Sequence, residues 1–301
     1  MSGISTNRTD IALPTEVSSE IITKTQEASA IMRLARQIAL PGNGLTIPMI
    51  TADPEAAWVD ETDAKPVSNP TLDKKVMQAY KLAVVVPFSD EFRRDLSALY
   101  DEIVRRIPNI LGEKFDATVI GKVSKPGANF DNFASCTAQS ISSDAYAGLV
   151  AADTDIATHG GILNGFALSP QARGVLLSAT DGNDRPLFIN NVADGAIPVI
   201  LGAPTYQSKG MYKAGSAASG DDPAVPNIVG IAGDWSKAMY GTVEGVKVAT
   251  SSEATLTYLD QSNNTVTINL FQQNMFAVRA EIEIGFRADT SVFNLLTTAV
   301  S

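Results

Sequence analysis

Lys81-Leu82-Ala83-Val84-Val85-Val86-Pro87-Phe88-Ser89-Asp90-Glu91-Phe92 is the stretch that decides the fold. Its first half is β-branched and apolar, the composition of a half-buried strand. Its second half is a helix start: Ser89 can cap free amides, and two acids complement the helix dipole. Downstream, Phe92, Leu96, Leu99, Ile103, Ile107 and Ile110 recur at helical steps and predict one apolar stripe. The helix is expected to run through Phe115 and Ile120 to Gly121. Pro108 lies in its middle, where a proline removes a backbone bond and bends the helix. Arg93, Arg94, Arg105 and Arg106 form its polar face.

Upstream, Val76 to Val86 reads as one valine-rich strand. Leu45-Thr46-Ile47-Pro48 reads as a short strand stopped by proline, and Ala56-Ala57-Trp58-Val59 as another. Between Asp60 and Lys75 the chain is polar and holds Pro66 and Pro70. The expected shape is a long β-hairpin with a polar tip. An isolated hairpin is marginal in water, so such an arm has to lie on something, and a neighbouring subunit is the obvious support. Before it, Thr15-Glu16-Val17-Ser18-Ser19-Glu20 opens a helix that apolar spacing carries to Ile38, ended by Pro41-Gly42-Asn43-Gly44.

Beyond Gly121 a loop precedes a helix opened by Ser142 or Ser143 and closed by Gly160-Gly161. Ile162 to Leu168 is a buried strand candidate, and Ser169-Pro170 starts another helix with proline at its first position. Alternating strands and helices suggest an α/β module over 140–232, with 202–227 rich in loops. The last third is β-rich: 243–249, 254–259 and 266–271 read as strands, with a turn at 261–264. Phe276, Val278, Ala280, Ile282, Ile284 and Phe286 give the clearest alternation in the chain.

The chain has 301 residues, a net charge of −10 and one cysteine and one histidine. The acidic balance argues against a direct grip on nucleic-acid phosphates. Cys136 alone excludes an internal disulfide framework and any multi-cysteine zinc site. The longest apolar run, Leu82 to Phe88, falls far short of a membrane span, and no signal core is present, so a soluble, cytoplasm-made protein is expected. Glycine-rich nucleotide loops and nucleophile elbows are missing. His159 reads as a histidine at a helix C-terminus, Cys136 as a packed thiol, and Asp153 and Asp155 lack the glycine and glutamate of a calcium loop. No catalytic residue, metal or cofactor is expected.

The order of parts, with Leu13-Pro14, Ala57-Trp58-Val59-x-Glu61, Lys81 to Phe92, Leu168-Ser169-Pro170, Asp181 to Leu187, Ile200 to Pro204, Gly233-Asp234-Trp235-Ser236, Asn274 to Phe286 and Ser291 to Leu295, resembles the major capsid proteins of tailed bacteriophages. These are the Hong Kong 97-like capsid family. The resemblance implies an α+β fold with an N-terminal arm (1–45) and an extended β-hairpin loop (46–87). It also implies a peripheral domain with a long spine helix (88–138 and 233–288) and an axial α/β domain (139–232 and 289–301). It implies a structural protein, not an enzyme, that self-assembles into pentamers and hexamers of an icosahedral head enclosing double-stranded DNA. Trp58, Glu61, Lys65, Lys74, Lys75, Arg93 and Arg94 are the expected contacts between subunits, and Pro108 the conformational hinge. No covalent cross-link from the loop lysines is predicted.

Expected partners are other copies of the chain, a scaffolding protein, a portal and a decoration protein, with no membrane. Because the chain starts at Met1, the scaffold is expected to be a separate protein, the other possibility being an extension already removed. The location would be the virion, assembled in the bacterial host cytoplasm. There the acidic charge would keep the wall from gripping packed DNA. An encapsulin-type nanocompartment shell is the alternative, against which the long N-terminus and polar loop weigh. An α/β-hydrolase-like enzyme using His159 and a surface decoration protein are further alternatives.

Overall fold

The computed structural model describes residues 15–42, 44–52, 58–59, 71–91, 96–181, 183, 185–188, 199–220, 222–260 and 262–300. Helix α1, Thr15–Ala28, is followed at once by a short helix α2, Ala30–Leu34. The expected single helix breaks at Ser29, whose side chain accepts from the Met32 amide and caps α2. Strand β1, Arg36–Ala39, then draws Ile38 into a sheet. Strands β2, Leu45–Ala52, and β3, Thr71–Met77, form an antiparallel hairpin with Leu45 opposite Met77. β2 therefore runs through Pro48 instead of stopping there. A two-stranded ladder tolerates proline where the nitrogen faces away from the partner.

The valine-rich stretch is two strands, not one. β3 ends at Met77, and β4, Tyr80–Ser89, starts after Gln78-Ala79 and leaves the hairpin for a different sheet. The crossing is tight: a Cβ on Gly285 would come within 2.6 Å of the Gln78 carbonyl oxygen. Helix α3, Leu96–Val119, follows with Pro108 inside it. It ends where expected, at Gly121, whose φ of +81° suits glycine.

Strand β5, Thr137–Ser140, leads to helix α4, Ala145–Thr158. Its cap is Asp144, not Ser142 or Ser143, because the Asp144 side chain accepts from the Ala147 amide. Strand β6, Gly165–Leu168, is wholly buried, and helix α5, Pro170–Ser178, starts as expected with Ser169 as cap. The remaining strands are β7, Val199–Ile200; β8, Ala203–Gln207; β9, Asn227–Gly233; and β10, Ala238–Thr242. They continue with β11, Lys247–Ser251; β12, Thr255–Leu259; β13, Thr265–Asn269; β14, Met275–Ala288; and β15, Phe293–Thr298.

Two main sheets result. One runs β1-β10-β14-β11, with β4 also paired to β14 from Ser89–Met275 to Tyr80–Ile284. The other runs β5-β15-β9-β6-β8-β7, so the expected α/β module also recruits β5 and the C-terminal β15. Among the described residues, strands β12 and β13 pair only with each other.

The six apolar residues of the β14 alternation are all buried. Aromatic packing joins the two sheets. Phe133 meets Phe286 of β14 at 5.6 Å, Phe293 of β15 at 4.5 Å and Trp235 at 6.1 Å between ring centroids. Phe133 is fully buried. Phe133→Ala is expected to cost about 3–5 kcal/mol in denaturant unfolding of the purified chain, from lost transfer energy plus an unfilled cavity.

Candidate assembly interface

The parts that fail to bury themselves are tied to the body by two polar clusters. The first holds α1 and α2 against α3. Asp116, on α3, has no exposed surface. One carboxylate oxygen accepts from the Ser29 hydroxyl at 2.5 Å, the other from the Ala30 amide at 3.1 Å. The Ile31 amide and the Ser208 side chain add further bonds. No cation faces this carboxylate among the interactions that act on it. Burial therefore wins over its hydrogen bonds and pushes its pKa up to about 6.

The second cluster fixes the stem of the hairpin. Arg287, at the end of β14, is only 7% exposed although it falls on the polar side of the alternation. Its guanidinium donates to the Val76 carbonyl at 2.8 Å, to Asp131 at 2.7 Å and to Asn129 at 2.9 Å. Asp131 also accepts from the Ala288 amide. Lys75 donates to the Ala288 carbonyl at 2.9 Å and lies 3.5 Å from the Asp131 carboxylate. Thus Lys75, expected at a subunit contact, is engaged within its own chain.

The other expected contact residues are divided. Trp58 is 104% exposed, and Val59 beside it is also exposed. Lys74 is exposed on β3. Glu61, Lys65, Arg93 and Arg94 lie outside the described residues. Arg105 and Arg106 are exposed on α3, as the stripe implied, but Ile110 at its edge is 44% exposed. Pro108 is buried within α3. The Asn109 side-chain amide donates to the Arg105 carbonyl at 3.2 Å, one residue from the Val104 carbonyl that Pro108 leaves without its helical donor.

His159 is exposed at the end of α4, its Nδ1 2.8 Å from the Asp155 carbonyl. The Asp155 carboxylate is taken by the Asn294 side chain at 2.9 Å. Burial pushes the Cys136 thiol up to about 12, which keeps it protonated. Among the described residues, no group of three or more His, Cys, Asp or Glu could hold a metal ion.

A match to the phage capsid family model spans residues 10–289. The chain belongs to the phage capsid family. This is a family of structural capsid proteins, not a family of enzymes. The probable major capsid protein gp17 of Mycobacterium phage D29 is 25% identical over 96% of this chain and 91% of its own. A solved chain of Mycobacterium phage Adephagia has a TM-score of 0.66 at 19% identity, covering 91% of each chain. Another, from the capsid of an empty GTA particle computed with C5 symmetry, has a TM-score of 0.60 at 15% identity, over 91% of this chain and 90% of its own. The encapsulin alternative finds no support among these relatives.

Sequence reading missed Asp116, Asp131 and Arg287. The available signals were an acid beside Phe115 on the buried side of a helix and an arginine closing an apolar alternation. Because Asp116 has its folded pKa above the unfolded 3.8, the folded chain binds its proton more tightly. Its stabilising contribution is complete below about pH 4 and is lost as pH rises through about 6, by roughly 3 kcal/mol. Asp116→Asn is expected to flatten that part of the pH dependence, read as the difference between variant and parent in unfolding free energy at pH 7 and pH 5. Lys75→Ala, with Asp131 and Arg287 kept, is expected to speed amide exchange in β3 while leaving β14 protected.

Proposed function

We propose that the chain is a phage major capsid protein of the Hong Kong 97-like fold, assembling into pentamers and hexamers of an icosahedral head around double-stranded DNA. The observation that carries this reading is a family match over nearly the whole chain, joined to a fold whose thin parts have no core of their own. The two-stranded β2–β3 hairpin and the fully exposed Trp58 need a neighbour to cover them. Small contacts repeated around a closed symmetric shell add up to a stable particle.

In this reading residues 1–45 are the N-terminal arm and 46–87 the extended loop. Residues 88–138 and 233–288 form the peripheral domain, with α3 as spine. Residues 139–232 and 289–301 form the axial domain. The two main sheets support this division, since β14 and β10 belong to one and β6, β8, β9 and β15 to the other. Trp58, Glu61, Lys65, Lys74, Lys75, Arg93 and Arg94 lie at subunit contacts, Lys75 in addition to its bonds within the chain, and the virion is the protein's location. A scaffolding protein and a portal are its partners. The acidic chain encloses DNA without binding it tightly.

Pro108 is the hinge on which the spine rebends when the shell expands. A proline inside a helix lowers the cost of bending there, because one backbone bond is already missing. Electron microscopy of the purified protein is expected to show closed shells or capsomer rings, and a monodisperse monomer under all conditions would overturn the reading. Pro108→Ala shells are expected to assemble and then keep their initial diameter where the parent's shells expand.

A further inference from the structure

Three parts of the chain converge on Asp116. Helix α3 carries the carboxylate. The kink between α1 and α2 brings the Ser29 hydroxyl and the Ala30 and Ile31 amides. A short 3-10 turn after β8, Lys209–Met211, brings Ser208, which also caps that turn. The three meet at backbone distance. A Cβ on Gly112 of α3 would come within 3.2 Å of the Ser29 nitrogen. One on Gly210 would come within 2.3 Å of the Glu113 carbonyl oxygen and 2.8 Å of the Asp116 Cβ. Ser29, Asp116, Ser208 and Gly210 are all buried.

No cation compensates this carboxylate. The charged residues of the converging segments are Glu27, Arg33, Glu113, Lys114 and Lys209, and none is among the groups that act on Asp116. Arg33 instead lies over the Tyr206 ring of β8, 4.1 Å from its centroid. Only neutral donors face the carboxylate, and burial outweighs them. A neutral carboxyl loses little by enclosure and can donate its own proton to the Ser29 or Ser208 oxygen. An ionised one is a buried charge that gains by reaching water. Parting the kink or the Lys209–Met211 turn from α3 hydrates it.

We propose that this three-way joint is a proton-controlled latch: with Asp116 neutral it holds the N-terminal arm and the Lys209–Met211 turn on α3, and ionisation lets both part from α3 while the sheets stay folded. The latch lies within one subunit, so it stands or falls apart from the shell reading. A subunit built this way gives up its arm more readily at neutral pH than in acid.

Hydrogen–deuterium exchange of the full chain reads the latch directly. The Ala30 and Ile31 amides end on Asp116, and the Met32 amide ends on Ser29. After correction for intrinsic exchange, their opening constant is expected to be roughly tenfold larger at pH 7.5 than at pH 5. That factor follows from a carboxyl that titrates at 3.8 when open and at about 6 when closed. The Gly210 amide should follow them, while the β15 amides change by less than about twofold. In Asp116→Asn the opening of residues 30–32 is expected to be the same at both pH values. Ser208→Ala removes a bond that favours the ionised form, so its rise should extend to higher pH than the parent's. It carries the test if the Asn variant does not fold.

Equal opening at both pH values in the parent would overturn the latch. So would a parallel rise in β15, because the charge would then act on the whole fold and not on the joint. A rise that persists in Asp116→Asn, or one that Ser208→Ala leaves in place, would overturn it too.

Discussion

The backbone ladder along β14 holds β4 on one edge and β10 and β11 on the other. Every one of its fourteen residues thus has a ladder partner on at least one side. Residues on its inner face pack under α3, and Phe286 near its end joins the aromatic contact with the second sheet. One residue further, Arg287 reaches across to the hairpin stem. A rigid strand at the centre lets thin elements project from its margins without a core of their own.

Those projecting elements are anchored by polar chemistry, in two different ways. At the hairpin stem, Arg287 and Lys75 meet Asp131, so opposite charges compensate one another and the backbone carbonyls of Val76 and Ala288 complete the set. Removing one partner of such a group leaves the rest buried and unsatisfied, which makes the junction specific in direction. At the arm, Asp116 receives neutral donors from Ser29, Ala30 and Ile31. Geometry is fixed there by hydrogen bonds alone, and the unbalanced charge costs stability that the neighbouring apolar contacts offset.

A shell subunit needs this division of labour. Its body must be independently stable, while its arm and hairpin must stay available to other subunits. Trp58 and Val59 leave adjacent apolar surface in water.

Much of this was legible in local sequence. The β14 alternation, the α3 stripe with Pro108, the Ser169-Pro170 helix start and the glycine stop at Gly121 each follow from interactions within a few residues, which short-range periodicity and capping report faithfully. The family resemblance likewise came from the order of such segments. Other features depended on partners far along the chain. The helix breaks at Ser29 beside Asp116, 87 residues away, and β4 parts from β3 because β14 offers it ten ladder positions. Arg287 is buried because the Asn129–Asp131 loop and the Val76 carbonyl converge on it. Sequence determined the elements and their need for neighbours, because propensity and amphipathicity are local. Tertiary structure alone decided which polar side chains would be enclosed, because burial is a property of what the rest of the chain brings to them.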